Sequence, residues 1–298
     1  MSLLGSLANG HGADDLASLE AGLDALETST ASRPLRLHKF VSASWPPLLA
    51  LALILLVWQL AVDAKLKPAF VLPSPGAVWS KLAERMRDGT LPEAVWTSLR
   101  RGGLGFLASL AIGTPLGLLI ARVRPVRRAI GPLVSGLQSL PSVAWVPAAV
   151  MFFGFSDAAI YAVVLLGAVP SIANGMVSGI DQVPPLFTQV GRVLGARGLR
   201  AARFVLLPAA LPGYVGGMRQ GWAFSWRSLM AAELIAHSPD LGLGLGGLLN
   251  EGREQLDMSL VFSGIIAILV VGIAVELCVF APLERRVLRR RGLLGATS

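Results

Sequence analysis

Residues 189–213 read QVGRVLGARGLRAARFVLLPAALPG, and this stretch separates two long apolar regions. Four arginines lie between residues 192 and 203, a glycine lies at Gly195, and Leu207-Pro208 follows. A glycine between two short helical patterns, followed by a proline, is typical of a helix–turn–helix connection. We therefore predict a short surface helix, a turn at Gly195, and re-entry into a long apolar helix.

The composition around this loop is that of a membrane protein. Of 298 residues, 54% are hydrophobic and only 15% are charged, whereas a typical soluble domain has about 25% charged residues. The net charge is +8, but the arginines punctuate apolar runs and do not form one basic face. This arrangement indicates membrane topology and argues against nucleic acid as a partner.

Six apolar stretches are long enough to cross a bilayer, since a helix needs about 20 apolar residues to do so. They are residues 40–62, 102–121, 129–156, 158–180, 204–236 and 258–283. The third contains Pro132, Pro141 and Pro147, so we expect it to be bent or broken. The predicted fold class is an all-α membrane protein with six transmembrane helices.

Arginine-rich segments follow the second, fourth and sixth of these spans. Because basic loops remain in the cytoplasm, we predict a multi-pass protein of the plasma (inner) membrane with both termini cytoplasmic. Residues 63–101 should then lie outside, although they too are basic. Their apolar residues at helical spacing predict an amphipathic helix in the outer interface of the lipid bilayer: Val78, Trp79, Leu82 and Met86.

The chain divides into three predicted regions. Residues 1–40 form a cytoplasmic extension, in which a leucine stripe at residues 16–26 predicts a short acidic amphipathic helix. This helix is either a loosely docked tail or a regulatory contact. Residues 41–291 form the membrane-spanning domain, and residues 292–298 form a C-terminal tail.

The opening stretch resembles the cytoplasmic "EAA" loop of permease subunits in binding-protein-dependent ABC importers. The residues that carry this resemblance are Gly195, Val205, Leu207 and Pro208. In that family the loop forms a coupling helix that sits in a cleft of the ATPase subunit, which implies a coupling loop at about residues 181–210. The family's Glu-Ala-Ala falls on three residues that depart from the pattern: Gln189, Val190 and Gly191.

Four further stretches resemble the subgroup of this family that serves nitrate, taurine and aliphatic sulfonates. They are LPSPGAVWSKL at 72–82, SLRRGGLGF at 98–106, LQSLPSVAWVPAAVMFFG at 137–154 and MRQGWAFSWRSLMAAELI at 218–235. The resemblance implies the type I ABC importer permease fold and a small anionic substrate. It also implies three partners: ABC ATPase subunits, a second permease copy in a homodimer, and an extracytoplasmic substrate-binding protein.

The sequence predicts that this chain is not itself an enzyme. It contains no Gly-Lys pair, and no lysine follows Lys81, whereas a P-loop needs a lysine at the phosphates. We therefore expect no catalytic residue and no cofactor here, with ATP and Mg bound by a separate ATPase. His11, His38 and His237 are isolated and Cys278 is the one cysteine, so no metal site is predicted.

Charged residues within residues 204–236 indicate a candidate translocation path, because intramembrane charges usually face a cavity or a partner. Arg219, Trp226 and Glu233 recur every seven residues and so lie near one helix face. They match the family pattern, whereas Arg227 does not and is a candidate for tuning substrate choice. The predicted path residues are Arg219, Trp222, Trp226, Arg227, Glu233, Pro141 and Trp145. The alternative is packing, with the charges paired to Glu276, Arg100 or Arg101.

The glycine-rich run LGLGLGGLLNEGRE at 241–254 superficially suggests a phosphate loop. It lacks the strand-then-helix context of such loops, so we predict an external re-entrant or gate loop, or else a flexible loop. Two alternative functions remain open at this point. A secondary transporter or channel without an ATPase is expected to show inverted repeats, and a membrane enzyme is expected to show clustered ionisable residues.

Overall fold

The computed structural model describes residues 36–236 and 241–291, and the contacts divide the chain into two units, Met1–Leu60 and Ala61–Ser298. The predicted acidic helix, the tail 292–298, His11 and His237 lie outside the described residues. Within them the chain is a series of helices and turns. The first helices are α1 Arg36–Asp63, α2 Pro75–Arg87, α3 Thr90–Arg122, α4 Arg124–Ser139, α5 Val146–Phe153 and α6 Asp157–Asp181. The later ones are α7 Pro185–Val193, α8 Gly198–Ala201, α9 Leu207–Ile235, α10 Leu245–Glu254, α11 Met258–Val275 and α12 Ala281–Arg290.

Helix α1 is apolar over most of its described surface. Apolar residues on different faces of the helix are all more than half exposed: Trp45, Leu49, Ile54 and Leu56. A helix that is apolar all round belongs in a membrane or in a large core. The described part of α1 therefore has the surface of a lipid-facing helix.

Helix α2 is the amphipathic helix predicted for residues 63–101. The Ser74 side chain caps it by accepting a hydrogen bond from the Ala77 amide at 3.2 Å. Val78 is buried, whereas Trp79 and Met86 are exposed, so the apolar stripe is divided between the protein core and the outside. The helix is confirmed, and its position in the membrane interface stays a prediction.

The third predicted span is broken, as its prolines indicated. Helix α4 and the segment Ser142–Phe153 meet at a bend of 98°. Leu140, directly before Pro141, is extended with ψ of 133°, which is the conformation that a following proline imposes. A short 3-10 turn, Ser142–Trp145, then leads into α5.

Three described helical stretches are long and apolar enough to cross a membrane: Thr90–Arg122, Asp157–Asp181 and Met258–Arg290. The bent pair of α4 and α5 gives a fourth when it is counted as one span. Length and composition thus recover fewer than the six predicted spans. Helix α9 is not among them, and its sequence carries three charges, Arg219, Arg227 and Glu233, together with prolines and glycines that lower its hydropathy.

Small residues let α3, α6 and α9 approach closely at the centre of the second unit. A Cβ atom at Gly217 of α9 would lie 2.5 Å from the Cα of Gly175 in α6. A Cβ atom at Gly117 of α3 would lie 2.6 Å from the carbonyl oxygen of Ala173. Both distances are shorter than any side chain allows, so backbone packs directly on backbone along α6. These contacts hold α3 and α9 against the central helix α6.

We expect Gly217→Ala to destabilise the protein by about 2 kcal/mol, because the added methyl overpacks the contact between α6 and α9. The neighbouring Gly216→Ala is the matched control, since nothing lies within 4 Å of a Cβ atom there. Thermal unfolding of the two purified variants measures the difference. Equal unfolding midpoints for both variants would show that the close approach is not required.

Candidate functional site

A buried ion pair joins α3 to the end of α9. Arg101 and Glu233 are each only 3% exposed, and Arg101 Nη1 donates to Glu233 Oε1 at 3.3 Å. Arg101 Nε also donates to Asp157 Oδ1 at 2.8 Å, and its Nη2 donates to the carbonyl oxygen of Leu241. One guanidinium group thereby connects α3, the first residue of α6, the end of α9 and the glycine-rich segment.

The glycine-rich run closes around the same carboxylate. Glu233 Oε2 accepts a hydrogen bond from Ser98 Oγ at 2.7 Å and another from the Gly246 amide at 3.1 Å. The Leu245 amide donates to Ser98 Oγ at 2.9 Å. A Cβ atom at Gly244 would lie 2.4 Å from Glu233 Oε2, so a side chain there would displace the carboxylate. We call Ser98, Arg101, Asp157, Glu233 and the amino end of α10 the Glu233 cluster.

The Glu233 cluster explains why residues 241–254 resemble a phosphate loop. Amides at the amino end of a helix favour an anion, and here the anion is a carboxylate of the same chain. The segment forms α10, with Leu245 and Leu248 fully buried. The flexible-loop alternative is therefore wrong for these residues, whereas a gating role stays a prediction.

The predicted stripe on α9 contacts other parts of the protein, although the Arg219 side chain remains half exposed. Arg219 Nε lies 2.5 Å from Glu276 Oε1, and Trp222 and Trp226 are buried and stacked with centroids 5.9 Å apart. Glu276 and Arg101 are two of the partners that the packing alternative named for the stripe's charges, and both pairs form. The structure thus contains two of the ion pairs that the packing alternative named. The role of these residues in a translocation path stays a prediction: Arg219, Trp222, Trp226 and Glu233.

A second face of α9, which we call its polar face, is exposed and carries the polar side chains of Gln220 and Arg227. Its exposed residues recur at helical spacing: Gly216, Gln220, Ala223 and Arg227. The Arg227 guanidinium lies 4.5 Å from the centroid of the Phe224 ring, and its Nε donates to the Ala223 carbonyl at 3.1 Å. No carboxylate of the described residues lies within 4 Å of Arg227. Sequence reasoning missed Gln220, although it precedes Arg227 by two helical turns.

The broken third span approaches α9 at Ser228, which is buried and next to Arg227 in the chain. A Cβ atom at Gly167 of α6 would lie 2.2 Å from Ser228 Oγ and 3.4 Å from the Cβ of Ser142. Ser142 begins the turn after the break, and Ser228 follows Arg227 directly. The structure therefore brings the break near the level of Arg227, with Pro141 exposed and Trp145 partly buried against the core.

The stretch quoted first has the predicted helix–turn–helix form. Helix α7 ends before Gly195, which has φ of +79°, and Gly191 packs so tightly that a Cβ atom would lie 2.9 Å from Val205 Cγ2. A π-helical turn, Ala202–Leu206, then leads into α9, which begins at Leu207-Pro208. Gly191 and Val205 thus contact each other, while Gln189 and Val190 remain exposed.

Helix α7 presents an apolar surface that nothing in the described structure covers. Val193 is 87% exposed and Leu194 is 80% exposed, with Val190 and Leu186 beside them. Large apolar patches of this kind on a surface mark interaction sites. For metals, no group of three His, Cys, Asp or Glu side chains able to hold an ion occurs among the described residues.

We expect Glu233→Gln to destabilise the protein by about 3 kcal/mol, because it removes one partner of a buried ion pair. Arg127→Gln is the control, since the Arg127–Asp181 pair has an even shorter contact of 2.6 Å but is exposed, and exposed pairs contribute little. Thermal unfolding of both variants gives the comparison. If Glu233→Gln and the wild type have the same unfolding midpoint, the Glu233 cluster is not needed to keep α10 in place.

Comparison with known proteins gives consistent matches. The family pattern of the binding-protein-dependent transport system inner membrane component matches residues 113–289. The taurine transport system permease protein TauC of Escherichia coli is 30% identical over 79% of this chain and 86% of that protein. The putative aliphatic sulfonates transport permease protein SsuC of Bacillus subtilis is 30% identical over 82% of this chain and 87% of its own length.

Two further comparisons agree with these. The nitrate import permease protein NrtB of Synechocystis sp. is 29% identical over 75% of this chain and 84% of that protein. An inward-facing structure of the MetNI methionine ABC transporter has a TM-score of 0.58 at 21% identity, covering 66% of this chain and 95% of that chain. The structural match indicates the fold, and the sequence matches show that this chain belongs to the family of binding-protein-dependent inner membrane permease components of ABC transporters.

Proposed function

We propose that this chain forms the translocation path for a small anion such as an aliphatic sulfonate, taurine or nitrate, driven by a separate ABC ATPase. The named substrates of its relatives support the class of substrate. The observation that carries the proposal is the exposed guanidinium of Arg227 on α9.

The contrast among the charges of α9 supports this role. Arg219 pairs with Glu276, and Glu233 pairs with Arg101. Arg227 is exposed, and within the described part of the chain its guanidinium contacts the Phe224 ring and the Ala223 carbonyl and has no ion pair. An unpaired charge at membrane depth is costly unless it faces a cavity or a ligand. An anion passing along the polar face of α9 supplies the missing partner.

The proposed permease domain, residues 41–291, has six spans when α1 and α9 are added to the four recovered by length and composition. Helix α9 has 29 residues and is about 44 Å long at the usual rise of an α-helix. It also packs along α6, which is a span by composition. An even number of spans puts both termini on the same side, and the arginine-rich loops assign that side to the cytoplasm. Helix α10 then lies on the side of the substrate-binding protein.

A second copy of the chain completes the path in this proposal. The polar face of α9 lies on the outside of the second unit, so one copy presents it without enclosing it. A homodimer related by a two-fold axis puts two such faces opposite each other. Because each copy brings its own Arg227, the path then has two guanidinium groups for one anion.

The proposed coupling surface is the apolar face of α7. It docks in the ATPase, which binds ATP and Mg, and motion there reaches α9 through the contact between Gly191 and Val205. Gln189 stands where the family has a glutamate, so apolar contact by Val190 and Val193 replaces an acidic one. The alternative function, a transporter or channel without an ATPase, does not require an exposed apolar docking surface on α7.

We expect Arg227→Gln to reduce ATP-driven anion uptake by at least about tenfold, because one charge-assisted hydrogen bond to an anion contributes about 1.5–3 kcal/mol. Arg286→Gln removes an exposed arginine of α12 and serves as the control. Uptake into proteoliposomes with the ATPase and binding protein measures both. Uptake by Arg227→Gln at the control rate would remove Arg227 from the path.

We expect Val193→Asp to abolish co-purification of the ATPase, because it introduces a charge into the apolar face of α7. Leu256→Asp is the matched control, since Leu256 is 78% exposed but lies between α10 and α11 on the other predicted side. Affinity capture of the tagged chain tests this. Retention of the ATPase by Val193→Asp would refute docking through α7.

A further inference from the structure

A basic cavity lies between the end of α3 and the coupling loop. It has a volume of about 550 Å³ and is lined by Arg122, Arg192 and Arg197, together with Thr188, Gly191 and Val205. We propose that this cavity, the arginine pocket, binds an oxyanion group of the phosphate type. The site stands apart from the proposed translocation path and does not depend on it.

The charges of the pocket are of one sign. Three guanidinium groups line it, and no carboxylate does. Some other arginines of the described residues pair with acids, such as Arg101 with Glu233, Arg127 with Asp181 and Arg219 with Glu276, whereas others, such as Arg227, do not. The distinguishing feature of the pocket is that three arginines line one cavity. The three pocket arginines have no carboxylate of the described residues within 4 Å. A bound oxyanion therefore neutralises the positive charge of three arginines for which the described residues provide no carboxylate partner.

The donors of the pocket suit a phosphate-like group. A guanidinium group presents five N–H donors in a planar fork that matches phosphate oxygens. Arg122 uses one of them, donating from Nη2 to the Gly198 carbonyl at 3.0 Å. That bond holds the Arg122 side chain against the loop and leaves the rest of its fork available. Val205 and Leu206 add an apolar wall, which weakens competition from water.

The position of the pocket gives a bound oxyanion a mechanical effect. Arg122 ends α3, Arg192 lies on α7, and Arg197 lies in the turn after Gly195. An oxyanion that engages all three arginines links a membrane span to both parts of the coupling loop. Occupancy therefore stiffens the loop relative to α3. The rule that cytoplasmic loops are basic accounts for arginines in this part of the chain. It does not account for three arginines lining the same cavity.

The test compares arginine with lysine, because lysine keeps the topological charge but loses the fork. The double variant Arg192→Lys with Arg197→Lys is measured beside the control Arg286→Lys with Arg289→Lys, in exposed positions of α12. The full chain in phosphatidylcholine nanodiscs is titrated calorimetrically with inorganic phosphate. A second titration uses soluble short-chain phosphatidylglycerol. The two arms distinguish a free oxyanion from a lipid headgroup.

We expect saturable binding in at least one arm, weakened roughly tenfold in the pocket double variant and unchanged in the control double variant. Absence of saturable binding in both arms would overturn the proposal. So would equal binding by the wild type and the pocket double variant. Loss of ATPase co-purification with unchanged phosphate binding would also overturn it, because the arginines would then be docking residues only.

Discussion

The buried pair of Arg101 and Glu233 is the interaction on which the packing at one end of the second unit depends. Two opposite charges away from water are stable only when each finds several polar partners. Ser98, Asp157 and the amino end of α10 supply those partners. Because the partners come from α3, α6 and α10, satisfying one carboxylate fixes the relative positions of these helices and the end of α9.

The same constraint gives the charges of α9 different roles. Glu233 and Arg219 lie where neighbouring helices offer opposite charges, so their cost is met within the protein. Arg227 projects from the other face of the helix and meets no acid of the described chain. A helix with two neutralised charges and one free guanidinium can pack tightly on α6 and still present a cation to a passing anion.

The sequence predicted the helical class, the break at Pro141 and the turn at Gly195. Its packing alternative also named Glu276 and Arg101 among three candidate ion-pair partners. Each follows from local chemistry, such as the extended residue before a proline or a charge in an apolar run. The Glu233 cluster was not predicted, because its hydrogen bonds join Ser98 and Gly246, which are distant in sequence and come together only in the fold. The exposed face of α9 was missed for the same reason, since periodicity groups residues without indicating which group faces outward.

The central claim is that this chain provides the path and a separate ATPase provides the force. Uptake of a labelled sulfonate, taurine or nitrate into proteoliposomes tests it most directly, with and without the ATPase and with binding protein and ATP supplied throughout. The account predicts uptake of one of these solutes only when the ATPase is present and ATP is hydrolysed. Uptake by the purified chain alone would contradict it.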